Sequence, residues 1–185
     1  MKILTEMAQN PKRCLTSIIQ ENKFSYACWG YGIGIISLYF AIKLGRQESA
    51  SLISFFFVFI IWVITNILLN LVLAAICNML LELTEKKISA LGIFILLGLS
   101  QIIWSLLIPC FMISQAFPQT ILLTPLIVLG IIALQIYFVL NSIKQVYGIS
   151  RASSLLAFIF SFILPLAAVF CFGIFTIGLL TALFA

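Results

Sequence analysis

The sequence predicts an all-α polytopic membrane protein, with five transmembrane helices and a short amphipathic helix before the first of them. Three observations predict this fold class. Of the 185 residues, 64% are hydrophobic and only 8% are charged, whereas soluble proteins carry about 25% charged residues. The apolar residues form five runs, each covering the roughly 20 residues that a helix needs to cross a bilayer. Charged residues lie between these runs or at their ends.

The chain divides into two parts. Residues 1–23 are predicted to form a cytoplasmic amphipathic segment, in which Asn10 is a candidate N-cap and Pro11 is the first helical residue. Its basic face would contact anionic lipid headgroups; in the alternative interpretation the segment is a plain tail whose charge only fixes the topology. Residues 24–185 form the transmembrane domain. Its predicted spans are residues 24–44, 51–81, 88–114, 121–142 and 152–182.

The second predicted span is unusual because it carries three asparagines, Asn66, Asn70 and Asn78, in an uncharged run. Asn66 and Asn70 lie four residues apart, and this spacing places them on one face of a helix. A side-chain amide in hydrocarbon requires a hydrogen-bond partner, which in a membrane protein is another helix or a water-filled cavity. We therefore expect the other four spans to pack around this one.

Polar residues also recur in the next two spans. In the third span, Gln101, Ser105 and Pro109 follow one another at four-residue spacing, so they are expected to share a helix face. Pro109 leaves the carbonyl group near Ser105 without its helical donor. Gln135 lies in the fourth span. Two interpretations stay open: these side chains line a cavity together with the asparagines, or they form interhelical hydrogen bonds without any ligand.

Glycine and proline residues mark further features of the spans. Gly30 and Gly34 have the GxxxG spacing that lets two helix backbones approach closely, either within one chain or between two self-associating copies. Pro165 is expected to kink the fifth span, unless the last turns of that span fold back at the membrane surface.

Several functions are excluded by the residue types that the chain lacks. It has no histidine and no aspartate, and none of its five acidic residues lies within an apolar run. A metal site, a Ser-His-Asp relay or a carboxylate pair therefore has no members at membrane depth. We expect no catalytic residue, no bound metal, no cofactor and no enzymatic activity. We also expect no nucleic-acid partner, because the net charge of +5 is not carried by a soluble basic face.

The basic residues predict the orientation of the chain in the bilayer. Eight of the ten Lys and Arg residues lie in segments on the amino-terminal side, against Lys43 and Arg46 on the other side. By the positive-inside rule the amino terminus is cytoplasmic, and the odd number of spans places the carboxyl terminus outside. The candidate cytoplasmic basic face consists of Lys12, Arg13, Lys86, Lys87 and Arg151.

Three short motifs follow one another along the chain. They are Asn-Pro-Lys-Arg at residues 10–13, Ile-Ser-Ala-Leu-Gly at residues 88–92, and Tyr-Gly-Ile-Ser-Arg-Ala at residues 147–152. In order and spacing they resemble the Yip family, which are five-span membrane proteins whose eukaryotic members are named for interaction with Ypt/Rab GTPases. The short amino-terminal segment is similar to prokaryotic members, which implies a prokaryotic plasma (inner) membrane and no Rab partner.

Two functions are compatible with these observations. In the first, the protein is a non-catalytic membrane protein of the Yip-like type, which acts on other membrane proteins or on lipid through its cytoplasmic basic face. In the second, it is a small channel, carrier or lipid-moving protein whose amides line an intramembrane path, with Pro109 as a bend and Asn78 at the cytoplasmic mouth. The absence of ionisable residues within the spans favours the first function, because coupled transporters commonly carry them.

Overall fold

The structure confirms the predicted all-α, five-span fold. The computed structural model describes residues 11–21, 23–46, 52–83, 88–117 and 123–184. Over these residues the chain forms helices and no strand. Five of its helical segments are long and apolar enough to cross a membrane. The protein is therefore an integral, multi-pass membrane protein in contact with the lipid bilayer.

The helical segments follow the predicted order. The short first helix, α1, spans Pro11–Gln20, and the first two transmembrane helices are α2, Phe24–Arg46, and α3, Leu52–Glu82. The third span is interrupted, and it consists of α4 (Ala90–Ser100), a 3₁₀ segment (Gln101–Leu106) and α5 (Leu107–Ala116). The fourth and fifth transmembrane helices are α6, Thr124–Tyr147, and α7, Arg151–Phe184.

Local sequence signals account for several of these boundaries. Pro11 is the first residue of α1, and Ser89 caps α4 by accepting a hydrogen bond from the backbone N–H of Gly92 at 3.3 Å. The fourth span extends beyond residue 142 to Tyr147, where Gly148 takes a left-handed conformation (φ 66°) and ends the helix. The fifth span does not fold back, since α7 continues as one helix through Pro165.

The third span, rather than the second, lies at the centre of the bundle, so our expectation that the others pack around the second span is wrong. All the residues from Gly92 to Ser100 are buried. In the most apolar part of the third span 61% of residues are buried within the protein, against 11% in the second span. The third span contacts α1, α2, α3 and α6, whereas α7 packs against α3 and α6.

Glycine residues explain why the third span is central. A Cβ added at Gly34 would lie 2.8 Å from the backbone oxygen of Gln101, and one at Gly98 would lie 2.8 Å from the Cα atom of Ala27. Gly30 similarly faces the backbone carbonyl group of Gly98. The backbones of α2 and the third span therefore touch at positions where no side chain fits. The GxxxG face of α2 is occupied within the chain and is not free for a second copy.

Aromatic residues hold the same two helices together near the amino-terminal end of α2. The hydroxyl of Tyr31, which is buried, donates to the backbone oxygen of Phe94 at 3.1 Å. The ring of Phe94 also stacks on Phe24, with 5.6 Å between the ring centroids. A buried hydroxyl needs such a partner, and the chosen acceptor fixes the register between α2 and α4.

Helix α1 has the amphipathic pattern that the sequence predicts, but its apolar face contacts protein. Leu15, Ile18 and Ile19 are buried in the same core as α4 and α6, and Arg13 lies on the exposed side. The apolar face is thus withdrawn from the lipid interface, and only the polar side is available to headgroups. Asn10 lies outside the described residues.

We predict that Gly30→Ala destabilises the protein and that Gly32→Ala does not. The new methyl group at Gly30 would collide with the backbone of Gly98, whereas nothing lies within 4 Å of the Cβ position at Gly32. Overpacking of this kind costs about 1–3 kcal/mol. Both variants gain helix propensity, which favours alanine by about 1 kcal/mol. The measurement is the free energy of unfolding in mixed micelles, and equal values for the two variants would contradict the central contact.

Candidate functional site

A cavity of about 560 Å³ lies among the transmembrane helices, and all five spans contribute to its walls. It is at mid-depth, because Gln135 lies midway along α6 and Gly34 lies midway along the first span. Ligand pockets in proteins commonly measure about 300–1,000 Å³. The cavity is therefore large enough for a small molecule or for part of a lipid.

Four side-chain amides line this cavity, and they come from three different spans. They are Asn66 and Asn70 of α3, Gln101 of the third span and Gln135 of α6. Apart from the indole N–H of Trp104, the other lining side chains are apolar or, at Gly34, absent, and none is charged. The structure thus brings together four of the seven polar or proline residues that sequence analysis selected.

The two asparagines form a hydrogen-bonded pair on α3. The Nδ2 atom of Asn70 donates to Oδ1 of Asn66 at 2.6 Å and to the backbone oxygen of Asn66 at 2.8 Å. Asn70 is 6% exposed and lies deeper than Asn66. The amide nitrogen of Asn70 is therefore used within the helix, whereas its Oδ1 atom accepts no hydrogen bond from the described residues.

Gln135 is held by a second hydrogen bond, which links α6 to the third span. Its Nε2 atom donates to the hydroxyl oxygen of Ser100 at 3.2 Å, and the Ser100 hydroxyl donates to the backbone oxygen of Leu97 at 2.6 Å. Ser100 is fully buried. Sequence analysis missed it, although a serine next to Gln101 in an apolar span is itself a signal of interhelical hydrogen bonding.

Gln101 differs from the other three amides because it has no protein partner. Its side chain is only 8% exposed, yet within the described part of the chain its amide makes no hydrogen bond. Its amide atoms are accessible, unlike the buried polar atoms without a partner in the described residues, which are Asn78 Oδ1, Thr124 Oγ1 and Tyr147 OH. The Cβ atom of Gln101 packs on Gly34, which fixes the base of the side chain beside the cavity. The structure therefore leaves one donor and one acceptor group facing the cavity without a partner.

The other three selected residues lie away from the cavity. Asn78 donates from Nδ2 to the Glu82 carboxylate at 2.7 Å near the end of α3. Ser105 is half-buried and Pro109 is exposed, and neither lines the cavity. They do not share a face with Gln101, because residues 101–106 form a 3₁₀ helix with about 3.0 residues per turn. The prediction of a shared face assumed α-helical spacing and is wrong.

The candidate cytoplasmic basic face is described only in part. Arg13 is exposed on α1. The guanidinium group of Arg151 donates to Oδ1 of Asn141 at 3.0 Å and lies 5.6 Å from the centre of the Tyr137 ring. The side chain of Lys12 and the whole of Lys86 and Lys87 lie outside the described residues.

The described residues also bear on metal binding and catalysis. No three His, Cys, Asp or Glu side chains gather there as metal ligands. The five cysteines are all free thiols. The cavity itself contains primary amides and apolar groups, which supply hydrogen bonds but no general base and no nucleophile.

Comparisons with known proteins find no family model, no curated protein and no solved structure that matches this chain. The resemblance to the Yip family therefore stays a prediction from the three sequence motifs.

We predict that Ser100 and Gln135 are energetically coupled. In a double-mutant cycle with Ser100→Ala and Gln135→Leu, the expected coupling is about 0.6 kcal/mol, the average for hydrogen bonds between transmembrane helices. The measurement is the free energy of unfolding of the two single variants and the double variant. The matched control pair is Ser100→Ala with Gln115→Leu, since Gln115 bonds to the backbone of Leu44 and lies away from Ser100. A coupling no larger than that of the control pair would show that the hydrogen bond does not stabilise the fold.

Proposed function

We propose that the protein is a non-catalytic membrane protein that binds an uncharged, largely apolar molecule in the mid-membrane cavity. One observation carries the proposal: amides from three spans line a single cavity, and the amide of Gln101 has no protein partner there. A ligand that bonds to Gln101 would supply the hydrogen-bond partner that an amide needs in an apolar environment. Hydrogen bonds within α3 account for Asn66 and Asn70, and the interhelical bond to Ser100 accounts for Gln135, but no such bond accounts for Gln101.

The lining of the cavity indicates which ligands it suits. No charged side chain lines it, so an ionic ligand would be buried at mid-depth without a counter-charge, at a large desolvation cost. The apolar walls favour hydrocarbon or aromatic groups, and the few amides orient the polar part of the ligand. An uncharged molecule with one or two hydrogen-bonding groups satisfies both parts of the lining.

A binding site confined to mid-depth fits the geometry better than a channel that crosses the membrane. A channel requires polar groups or water along its whole length. Here the polar lining is confined to mid-depth, and Asn78 and Ser105, which were expected to extend it, lie outside the cavity. A carrier or lipid-moving protein would use the same cavity as its binding step. The Yip-like role, through contacts of the basic face with other membrane proteins, rests on the sequence resemblance.

For the orientation, we predict that the amino terminus is cytoplasmic and the carboxyl terminus lies outside the plasma membrane of a prokaryote. The reason is the eight-to-two distribution of Lys and Arg between the two sides. Alkaline phosphatase fused after Ala185 should then be active, and a green fluorescent protein fused at the same place should be dark. The opposite pattern would show that the charge distribution does not set the topology.

The binding proposal is tested by photolabelling in liposomes. The probe is the trifluoromethyl-diazirinyl derivative of benzyl alcohol, which is small, uncharged and lipid-soluble. Labelling at Asn70, Gln101 and Trp104, which line the cavity, is expected to saturate as the probe concentration rises. Labelling at Phe56 and Phe57, which are exposed on the surface of α3, should instead rise in proportion to concentration.

A cavity-filling variant and a matched variant complete this experiment. Ile136→Trp places a larger side chain in the cavity and should lower the saturable labelling several-fold. Ile64→Trp makes the same change on an exposed face of α3 and should leave the labelling unchanged. If no saturable labelling of the cavity residues is found in the unaltered protein, the proposed function is wrong.

A further inference from the structure

We infer that the ligand is a neutral lipid with a hydroxyl or carbonyl headgroup, that it reaches the cavity sideways from the hydrocarbon, and that Gln101 binds its headgroup. This inference rests on the proposed function and deepens it, because it names the class of ligand, its route and the residue that recognises it.

The route follows from which lining residues are exposed. The cavity is not enclosed. Its most exposed lining residues are apolar, namely Leu69 of α3 and Phe162 and Ile163 of α7, which are 53%, 47% and 48% exposed. Gln101, in contrast, is 8% exposed. The cavity therefore presents apolar groups at its rim and an amide at its base. Because the rim lies at mid-depth in the bilayer, it is surrounded by lipid chains rather than by water.

The neutral lining selects among the lipids of the bilayer. A phosphate headgroup at this depth would face no Lys or Arg side chain, because none lines the cavity. Phospholipids also keep their charged headgroups at the membrane surface, far from mid-depth, because of the cost of desolvation. A lipid with a single hydroxyl or carbonyl headgroup carries no such cost and can bring that group to the middle of the bilayer. Its chains would leave the cavity over Phe162 and Ile163.

The free hydrogen-bonding groups match such a headgroup. The amide nitrogen of Asn70 donates to Asn66, and that of Gln135 donates to Ser100. The Gln101 amide keeps its donor and its acceptor groups free. A hydroxyl group both donates and accepts, and a carbonyl group accepts, so each can bond to Gln101. The acceptor Oδ1 of Asn70 is available for a second bond from a hydroxyl.

The native tryptophans allow a direct test, because Trp104 lines the cavity. Trp29 and Trp62, which do not line it, are replaced by Phe, so that the emission comes from Trp104 alone. The protein is reconstituted in phosphatidylcholine that contains a small fraction of dibrominated dioleoylglycerol, or the same fraction of phosphatidylcholine with identical dibrominated chains. Bromine quenches tryptophan only at short range. We expect dibrominated dioleoylglycerol to quench Trp104 more strongly than the brominated phosphatidylcholine does. We also expect this quenching to saturate as the fraction of dioleoylglycerol rises.

A variant of Gln101 tests the recognition step. Gln101→Met keeps an unbranched side chain against Gly34 and removes both hydrogen-bonding groups. It should raise the fraction of dioleoylglycerol needed for half-maximal quenching about threefold, as expected for one lost bond of average strength in a bilayer. Gln115→Met is the matched control, since Gln115 lies outside the cavity, and it should leave that fraction unchanged. Quenching that is equal in Gln101→Met and the parent would overturn the role of Gln101.

The comparison of the two lipids does not depend on any variant of the cavity, so it tests the lipid class even if Gln101→Met does not fold. Equal quenching of Trp104 by the two brominated lipids would overturn the neutral-lipid inference. The saturable photolabelling by the aromatic alcohol is a separate measurement, and it would still support the proposed function in that case. Loss of both signals would overturn the proposed function together with this inference.

Discussion

The backbone contact between α2 and the third span is the constraint on which the arrangement of the other helices depends. Lipid chains are as apolar as the helix surfaces, so helices in a bilayer associate through close packing rather than through the hydrophobic effect. Gly30, Gly34 and Gly98 permit that packing here, and Tyr31 fixes its register by bonding to Phe94. With α2 seated on the third span, α3 and α6 pack on other sides of that span, and α7 packs on both of them.

The cavity follows from this arrangement. The close contact brings Gln101 beside Gly34, and α7 on the far side contributes apolar side chains such as Phe162. Hydrogen bonds then divide the polar groups into two kinds. The amide nitrogens of Asn70 and Gln135 donate to Asn66 and Ser100 and hold the walls, whereas the Gln101 amide has no protein partner. The contact between α2 and the third span, which the glycines permit, thus also places the Gln101 amide beside the cavity.

The fold could be predicted from the sequence to a large extent, because span number and length depend only on the run of apolar residues and on the bilayer thickness. The site could be predicted in part: Asn66, Asn70, Gln101 and Gln135 were selected as polar groups within apolar spans. The asparagines of the second span do not identify the central span, because close packing at glycines, rather than polar content, brings helix backbones together. Ser105 and Pro109 were misplaced because hydropathy carries no sign of a change from α-helical to 3₁₀ spacing.

The 3₁₀ segment also affects how the protein fits its membrane. A 3₁₀ helix rises about 2.0 Å per residue and an α-helix about 1.5 Å, so the six residues Gln101–Leu106 make the third span about 3 Å longer than a regular helix. A thin bilayer would favour the shorter, α-helical form, and a thick bilayer the longer one. Because Gln101 begins this segment, such a change would also rotate the residues that follow it. A change in membrane thickness that converted the segment would therefore shift Trp104, which follows Gln101 in the wall of the cavity.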